Sequence, residues 1–392
     1  YNNGSMLAVK PENGDGDFTF SRNSAATRVN AQGLVENVNA NLPRINYTDG
    51  CGNLLLEPQS TNLITQSENL SNMQIAFGGA ISLDSSFTNP SGQNGSYFIY
   101  DTDGGSQARF RVSNSGFSLG DKLSYSVFIK SDSSSNITIG GNYGGENCTF
   151  NVGSKTLISQ GAAVDSYKII NFTNGWTRYV VNTTFTNTIP GNAYPFFTTN
   201  ATLSEKIYVW GWQLEQSSYA NSYIPTQGAT STRLQDISTN SGNASLINSE
   251  EGTLYGEIAV NEGQTNVNRY ITINDGTDDN IVSIHFRNNA LNQIRAIVKV
   301  GNSNQCDINY NALGSTSFAK FALKYKVNDF AFWVNGTEIG IDTSGITFSA
   351  NTLNNIDFGN VSSSNNFYGK NRALAVYKTA LTDEQLTLLT TI

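Results

Sequence analysis

Hydrophobic and polar residues alternate with a period of two through most of this 392-residue chain. The stretch 122–130 is a clear example, because its apolar side chains share one face while Lys122, Ser124 and Ser126 share the other. This pattern predicts an antiparallel sheet with one core face and one solvated face. The strands that it predicts in the first half of the chain are Ser96–Tyr100, Ala108–Val112, Lys122–Lys130, Asn136–Ile139, Trp176–Phe185 and Ile207–Leu214.

The second half of the chain shows the same alternation and ends in a different pattern. Its predicted strands are Leu254–Val260, Arg269–Asn274, Ile281–Phe286, Gln293–Val300, Lys320–Lys326 and Phe330–Val334. Asn335-Gly336 follows the last of them and is a strong signal for a two-residue hairpin turn. Near the C-terminus, Thr382 with Gln385 three positions on forms a capping-box pattern and predicts a short helix.

The spacing of these strands predicts two sandwich domains after an irregular segment. Residues 1–65 have little periodicity and read as a connector or attachment segment, with arginines available to pair with Glu36 or Glu57. Residues 66–235 form a first sandwich, and residues 236–392 form a second. The last strand of the first sandwich ends before Pro225, and its residues Tyr208, Trp210, Trp212 and Leu214 are expected on one face. The predicted fold class is therefore all-β, with tandem antiparallel sandwiches and one short C-terminal helix.

Composition excludes several classes of function. Charged residues make up 14% of the chain and the net charge is −8, without a basic run, which argues against a nucleic-acid partner. No apolar run approaches the roughly 20 residues of a membrane span, so membrane insertion is not expected. Cys51, Cys148 and Cys306 lie too far apart for a metal motif and are expected to be free thiols. The chain begins at Tyr1, which is consistent with a processed or partial product.

Few residues offer catalytic or metal chemistry. His285 is the single histidine and alternates away from its apolar neighbours, so it is expected on the polar face of its strand. Acidic residues that could cleave a glycan occur at Glu250, Glu251, Glu257, Asp275, Asp278 and Asp279, but no pattern separates an acid from a nucleophile. No cofactor is expected to be required. The oxygen-rich loop 274–280 leaves Ca²⁺ as an alternative, with Asp275, Asp278 and Asp279 as its ligands, although a solvated turn is the simpler interpretation.

Aromatic residues provide the other candidate site. Trp176, Trp210, Trp212 and Trp333 are the tryptophans, and the face shared by Trp210 and Trp212 is expected in a core. Trp333 alternates away from Phe332 and Val334, so it is the candidate glycan platform on an outer face. Tyr143, in a glycine-rich loop, is the second candidate for glycan binding.

Two stretches of the first 235 residues carry a resemblance to known proteins. One is Trp210-Gly211 with Gln213-Leu214-Glu215, followed by Ser222–Thr226 and Thr232-Arg233. The other contains Arg22, Ala26–Val29, Pro43-Arg44, Leu55–Pro58 and Thr61–Leu63. Together they resemble bacteriophage tail and fibre proteins, and the strand order of the first sandwich resembles jelly-roll carbohydrate-binding modules. The resemblance implies architecture and carries no ligand motif.

The last 150 residues carry a second resemblance. Gly369, Leu374, Val376-Tyr377 and Ala380–Leu386, after the hairpin at Asn335-Gly336, resemble concanavalin A-like or laminin-G-like domains. That sandwich serves lectins, adhesion modules, structural spacers and some glycan-cleaving enzymes, so it implies a fold and not a ligand.

The two resemblances imply a non-catalytic virion appendage of tail-fibre type that adheres to a host surface polysaccharide. The resemblance to fibres also implies homotrimeric assembly and contacts with other virion proteins. In such an assembly, weak sugar contacts gain strength because they are made in several copies. Two alternatives remain at this stage. One is a purely structural decoration or collar protein, and the other is a glycan depolymerase with two carboxylates facing each other in a cleft.

Overall fold

The computed structural model of the protein describes residues 17–102, 108–112, 114–131, 135–141, 145–186, 192–193, 195–199, 205–261, 268–287, 293–311, 318–362 and 364–392. Regular structure within these residues is almost entirely β, which confirms the predicted fold class. The described helical elements are a 3₁₀ turn, Leu70–Asn72, and the C-terminal helix α1, Asp383–Thr390. Over these ranges, no helix is long and apolar enough to cross a membrane.

Strands β1 to β20 extend from the N-terminal segment to the end of the first sandwich. Their bounds are β1 Thr19–Ser21, β2 Ala26–Val29, β3 Val35–Val38, β4 Arg44–Asn46, β5 Asn53–Leu56, β6 Ser60–Asn62, β7 Gln74–Phe77, β8 Gly79–Thr88, β9 Asn94–Asp101, β10 Ala108–Arg111, β11 Asn114–Ser115, β12 Lys122–Lys130, β13 Asn136–Gly141, β14 Asn147–Asn151, β15 Thr156–Gln160, β16 Val164–Asn171, β17 Thr177–Thr184, β18 Asn192–Ala193, β19 Pro195–Thr199 and β20 Ile207–Glu215.

Strands β21 to β32 form the connection and the second sandwich. Their bounds are β21 Ser231–Arg233, β22 Ile237–Thr239, β23 Glu251–Val260, β24 Arg269–Asn274, β25 Ile281–Arg287, β26 Gln293–Val300, β27 Ser303–Tyr310, β28 Ala319–Lys326, β29 Phe330–Val334, β30 Thr337–Asp342, β31 Asn355–Asp357 and β32 Gly369–Tyr377.

The first sandwich consists of two antiparallel sheets that enclose one core. Sheet A has the order β15-β14-β13-β19-β10-β7, and sheet B has the order β16-β17-β12-β20-β9-β8. Alternate apolar side chains of both sheets meet between them, among them Tyr125, Phe150, Tyr179 and Trp212. This arrangement explains the period of two in the sequence, since every second side chain of a sandwich strand faces the opposite sheet.

The second sandwich includes strands from the start of the chain. Its sheet C has the order β30-β29-β28-β23-β32-β5-β4, and sheet D has the order β27-β26-β25-β24-β31. Strand β5 pairs with β32, where Leu56 is opposite Gly369 and Leu54 is opposite Asn371. Both leucines are buried in the core of the second sandwich. The segment 1–65, predicted as a connector, thus supplies part of the second sandwich.

Two short antiparallel strand pairs hold together the segments that enter and leave the first sandwich. Strand β6 pairs with β21 through Ser60 and Arg233, and β1 pairs with β22 through Ser21 and Ile237. The first sandwich is therefore inserted in sequence between strands of the second, with its two ends held side by side.

A β-bulge at Gly211 changes which residues of β20 share a face. The pairing of β12 with β20 shifts register between Ser126 and Phe128, next to Gly211, whose φ is +64°. As a result Trp212 lies in the core between sheets A and B, whereas Trp210 packs on the outer face of sheet B. The prediction that Trp210 and Trp212 share a face is wrong, because a bulge adds one residue and reverses the alternation.

Replacement of Gly211 by alanine is expected to destabilise the protein by about 2 kcal/mol. A non-glycine residue at this φ costs roughly 1–2 kcal/mol, and the new Cβ would lie 2.9 Å from Cδ2 of Phe128. Gly276→Ala is the matched control, because Gly276 has φ +87° but nothing within 4 Å of the added Cβ. Denaturant unfolding of both variants measures the difference, and equal losses would contradict a packing role for Gly211.

The outer face of sheet B, predicted to be solvated at 122–130, is buried. Ser124 and Ser126 are 1% and 0% exposed. The N-terminal segment and the stretch after β20 cover this face, where Val35 and Tyr223 pack with Phe128 and Trp210. The sequence correctly predicts that this face is polar. Its polar residues, however, contact other parts of the protein and are not solvated.

Candidate functional site

Buried charges converge where the N-terminal segment, the first sandwich and the connection meet. Arg44 donates hydrogen bonds to Glu57 at 2.8 Å and to Asp236, and Arg22 donates to Asp236 at 3.0 Å. Arg233 donates to Glu57 at 2.7 Å. These five side chains, at most 5% exposed, are here called the junction ion cluster. The predicted pairing of N-terminal arginines with Glu57 and Glu36 is confirmed, since Arg28 also lies 2.5 Å from Glu36.

The junction ion cluster fixes the protonation state of Glu57. Burial by itself raises the pKa of this carboxyl, but Arg233, Arg44 and two hydrogen bonds from Ser222 outweigh burial and hold the pKa at about 2. Glu57 is therefore an anion at neutral pH. It stabilises the cations around it, because an arginine left without its partner in such a site is strongly destabilising.

A cleft of about 160 Å³, here called the junction cleft, opens beside this cluster. Strands β2 to β5, the outer face of sheet B and the end of β23 enclose it. It is smaller than the roughly 300–1,000 Å³ of pockets for drug-sized ligands, so it suits a ligand of one or two rings. The residues that line it are Thr27, Arg28, Val29, Val35, Asn46, Thr48, Leu55, Glu57, Phe128, Lys168, Ile170, Phe172, Arg178, Val180, Asn182, Tyr219, Ala220, Asn221, Ser222, Tyr223, Ala259, Val260, Asn261 and Lys370.

The lining combines aromatic rings with amides and hydroxyls. Phe172 is half-buried and lies edge-on to Phe128, with 5.1 Å between the ring centroids. Amides come from Asn46, Asn182 and Asn221, and each also forms a hydrogen bond within the protein. An apolar ring with nearby donors and acceptors can bind a sugar, because the C–H face of a pyranose packs on the ring while its hydroxyls take the hydrogen bonds.

Two half-exposed aromatic residues elsewhere on sheet B, Phe87 and Phe98, have a ring face covered by another side chain. Phe87 stacks on Tyr208, with centroids 3.4 Å apart and planes 6° apart. Lys206 places its Nζ 4.4 Å from the ring centroid of Phe98. A sugar would have to displace these partners, which makes the junction cleft the better candidate.

The predicted glycan platform Trp333 is buried. It points away from the core of the second sandwich, as its alternation predicts, but it is only 7% exposed. The C-terminal helix covers it, and Trp333 packs with Tyr255 and with Leu386 of α1. The capping box that starts this helix is confirmed, with Thr382 as N-cap and Gln385 closing it. The structure thus corrects the outward exposure of Trp333, because the helix that follows β32 folds back over that face.

None of the other aromatic candidates is a described, open surface residue. Tyr143, the second predicted glycan-binding residue, lies outside the described residues. Trp176 and Trp210 are buried together on the outer side of sheet B, and Trp212 is buried in the core of the first sandwich. Their rings stabilise the fold and offer no open surface.

The predicted calcium ligands lie in the turn between β24 and β25. Asp275 accepts hydrogen bonds from the backbone and hydroxyl of Thr277 at 2.9 and 2.6 Å, and from Asn280 at 2.7 Å. Asp278 and Asp279 are exposed. Across the described ranges, no group of three or more His, Cys, Asp or Glu side chains is placed to hold a metal ion. Calcium binding at this turn stays a prediction from the sequence.

The histidine, the other acidic residues and the cysteines are also placed by the fold. His285 lies on the outer face of sheet D, is buried, and has its ring 4.0 Å from that of Tyr270. Glu251 pairs with Lys326 and Glu257 pairs with Arg372, both at the surface of sheet C.

The three cysteines are free thiols, and burial raises the pKa of Cys148 and of Cys306 to about 12.

Comparisons with known proteins add only distant likenesses. No family model and no curated protein sequence matches the chain. Among solved structures, a Ruminococcus gnavus IT-sialidase CBM40 bound to alpha2,3 sialyllactose is 18% identical, with a TM-score of 0.32, over 38% of this chain and 92% of its own. A heptameric SAP-like pentraxin from Limulus polyphemus is 14% identical, with a TM-score of 0.30, over 36% and 70%. Mouse laminin alpha1 chain domains LG4-5 are 10% identical, with a TM-score of 0.26, over 69% and 88%. These values establish neither a family nor a ligand.

Proposed function

We propose that this protein is a non-catalytic binding protein that takes a saccharide into the junction cleft. The observation that carries the proposal is the lining of that cleft, to which the half-buried ring of Phe172 and the amides of Asn46, Asn182 and Asn221 all contribute. The junction ion cluster next to the cleft holds the adjoining strands in place. A site preorganised in this way loses less conformational freedom when a ligand binds.

The charges around the cleft support binding without catalysis. Glycan hydrolysis normally uses two carboxyl groups roughly 5–10 Å apart, one of them with a raised pKa. Among the described residues that line the cleft, Glu57 is the carboxylate, and its pKa is held at about 2. A permanently ionised carboxylate that is already bonded to two arginines is poorly suited to donate a proton.

The biological setting of the proposal rests on sequence resemblance. The motifs around Arg44, Glu57 and Glu215 resemble those of bacteriophage tail and fibre proteins. We therefore infer a virion appendage that binds a host surface polysaccharide through several copies of this chain. Multivalent attachment would allow weak contacts in each cleft to hold a particle on a cell.

Replacement of Phe172 by alanine is expected to weaken saccharide binding about tenfold, since a stacking ring contributes on the order of 1 kcal/mol or more. Binding of the purified protein to a panel of bacterial polysaccharides and to whole cells, measured before and after the substitution, tests this. Phe98→Ala is the matched control, because Phe98 is also a half-buried phenylalanine but lies on β9 and does not line the cleft.

Two outcomes would count against the proposal. Equal losses for Phe172→Ala and Phe98→Ala would place the site outside the junction cleft. If no polysaccharide binds at all, a structural virion protein becomes the better interpretation. The junction ion cluster favours that second function, because it uses the charged motif residues to join the two sandwiches.

A further inference from the structure

One buried arginine of the junction cleft is held differently from the others. Arg178, at the start of β17, is 7% exposed. It donates hydrogen bonds to the carbonyl of Asn221 at 2.9 Å and to Oγ of Ser126 at 2.8 Å. Its guanidinium carbon lies 5.5 Å from the ring centroid of Phe128. The side chain is therefore fixed in position on the wall of the cleft.

Arg178 has no carboxylate partner within the described part of the chain. Arg22, Arg44 and Arg233 each form an ion pair with Glu57 or Asp236, whereas no described carboxylate lies within 4 Å of Arg178. Its Nε–H is buried and has no hydrogen-bond acceptor among the described residues, which is also true of Arg44 and Arg233, so the missing carboxylate is what distinguishes Arg178. A buried cation is normally paired or hydrogen-bonded in full, so this one has capacity for an anion.

Glu215, the buried carboxylate whose charge acts most strongly on Arg178, is already occupied by neutral donors. Glu215 accepts hydrogen bonds from Ser60, Gln213 and Asn221. Burial lowers the pKa of Arg178, and the charges of Glu215 and Glu57 only partly oppose that shift. In total, the buried arginines 22, 44, 178 and 233 face the carboxylates of residues 57, 215 and 236, which leaves 4 − 3 = 1 positive charge.

The rim of the cleft adds further positive charge. Lys168 is exposed and lines the cleft near Phe172. Arg28 and Lys370 also line it, in ion pairs with Glu36 and Asp49. Although the whole chain carries a net charge of −8, the cleft itself presents cations to a ligand.

We propose that the saccharide bound in the junction cleft is anionic, with its carboxylate or sulfate group directed at Arg178 and flanked by Lys168. This inference rests on the proposed function, because it specifies the ligand of the same site. A planar guanidinium suits both anions, since its N–H groups can make two parallel charge-assisted hydrogen bonds.

The test compares sugars that differ only in charge. Dissociation constants of D-glucuronate, D-glucose 6-sulfate and D-glucose are measured by saturation-transfer NMR on the full chain at low ionic strength. The acidic sugars are expected to bind about tenfold or more tightly than glucose, as expected for one charge-assisted contact. The first two sugars distinguish a carboxylate ligand from a sulfate ligand.

Two variants test whether the preference for acidic sugars arises in the junction cleft. Lys168→Gln, at an exposed position, is expected to weaken binding of the acidic sugar about threefold. Arg178→Gln is expected to remove the preference for acidic sugars altogether. Lys326→Gln is the control, because Lys326 pairs with Glu251 at the opposite end of β23 from the cleft residue Val260.

Each outcome separates the two proposals. Equal binding of acidic and neutral sugars would overturn the anionic ligand and leave saccharide binding intact. A preference for acidic sugars that survives in both Lys168→Gln and Arg178→Gln would also overturn it. Absence of binding by all three sugars and by the polysaccharide panel would overturn the proposed function itself.

Discussion

Replacement of Asp236 by asparagine is expected to lower the free energy of unfolding by about 4 kcal/mol, within the range of roughly 3–5 kcal/mol for a broken buried ion pair. Asp236 is the partner of both Arg22 and Arg44, and none of the three side chains is exposed. Its carboxylate also accepts a hydrogen bond from the backbone N–H of Glu57 at 2.8 Å. The substitution therefore leaves two buried cations with one carboxylate fewer.

Denaturant unfolding, followed by tryptophan fluorescence, measures the loss. Glu36→Gln is the matched control, since Glu36 pairs with Arg28 but both side chains are partly exposed, at 35% and 26%. An exposed pair contributes about 0–1 kcal/mol, so the control should be nearly neutral. Similar midpoints for the two variants would show that the junction ion cluster does not hold the domains together.

Acid is expected to destabilise the protein through Glu57. The folded-state pKa of about 2 lies below the ordinary value of 4.5, so folding favours the ionised form. The resulting stabilisation is fully present above about pH 4.5 and is lost as the pH falls from there toward 2. A shift of this size corresponds to about 3 kcal/mol.

A comparison with Glu57→Gln isolates this contribution from that of the other carboxylates. The wild-type protein should exceed the variant in unfolding free energy near pH 6 and lose about 3 kcal/mol of that advantage by about pH 2. Unfolding curves in urea at several pH values measure the difference. A difference that stays constant over this range would mean that Glu57 is not held ionised by its arginines.

Most of the fold can be predicted from the sequence where strands have two different faces. Arg269–Asn274, Gln293–Val300 and Phe330–Val334 are strands with the predicted bounds. The strands that the pattern misses include β8 and β27, which lie at the edges of sheets B and D. Edge strands of this kind carry few apolar residues, so their alternation is weak. In SNQCDINY it is limited to Cys306, Ile308 and Tyr310, which face the core of the second sandwich.

The candidate site could not be predicted in the same way. The junction cleft brings together Asn46, Phe172, Asn221 and Asn261, which are far apart in sequence and belong to different domains. Local periodicity reports which face of a strand is buried, and it contains no information on which outer faces meet. The sequence contains one signal for this site, which is Arg178. A charged residue between Trp176 and Tyr179 in a buried strand needs a hydrogen-bonding or charged partner.

The insertion of one sandwich within the other affects the order in which the protein can fold during synthesis. Lys370 of β32 contacts Asp49 across 321 positions of sequence. The strands around Leu54 and Leu56 therefore leave the ribosome long before β32 exists, and their apolar side chains stay without a sheet while the inserted domain is translated. That domain has its own core and can fold first. Premature termination after Thr239 and before Gly369 would release a chain whose first sandwich is folded but whose early hairpin of β4 and β5 lacks β32 beside it. Such an open strand edge makes these products targets for aggregation or proteolysis.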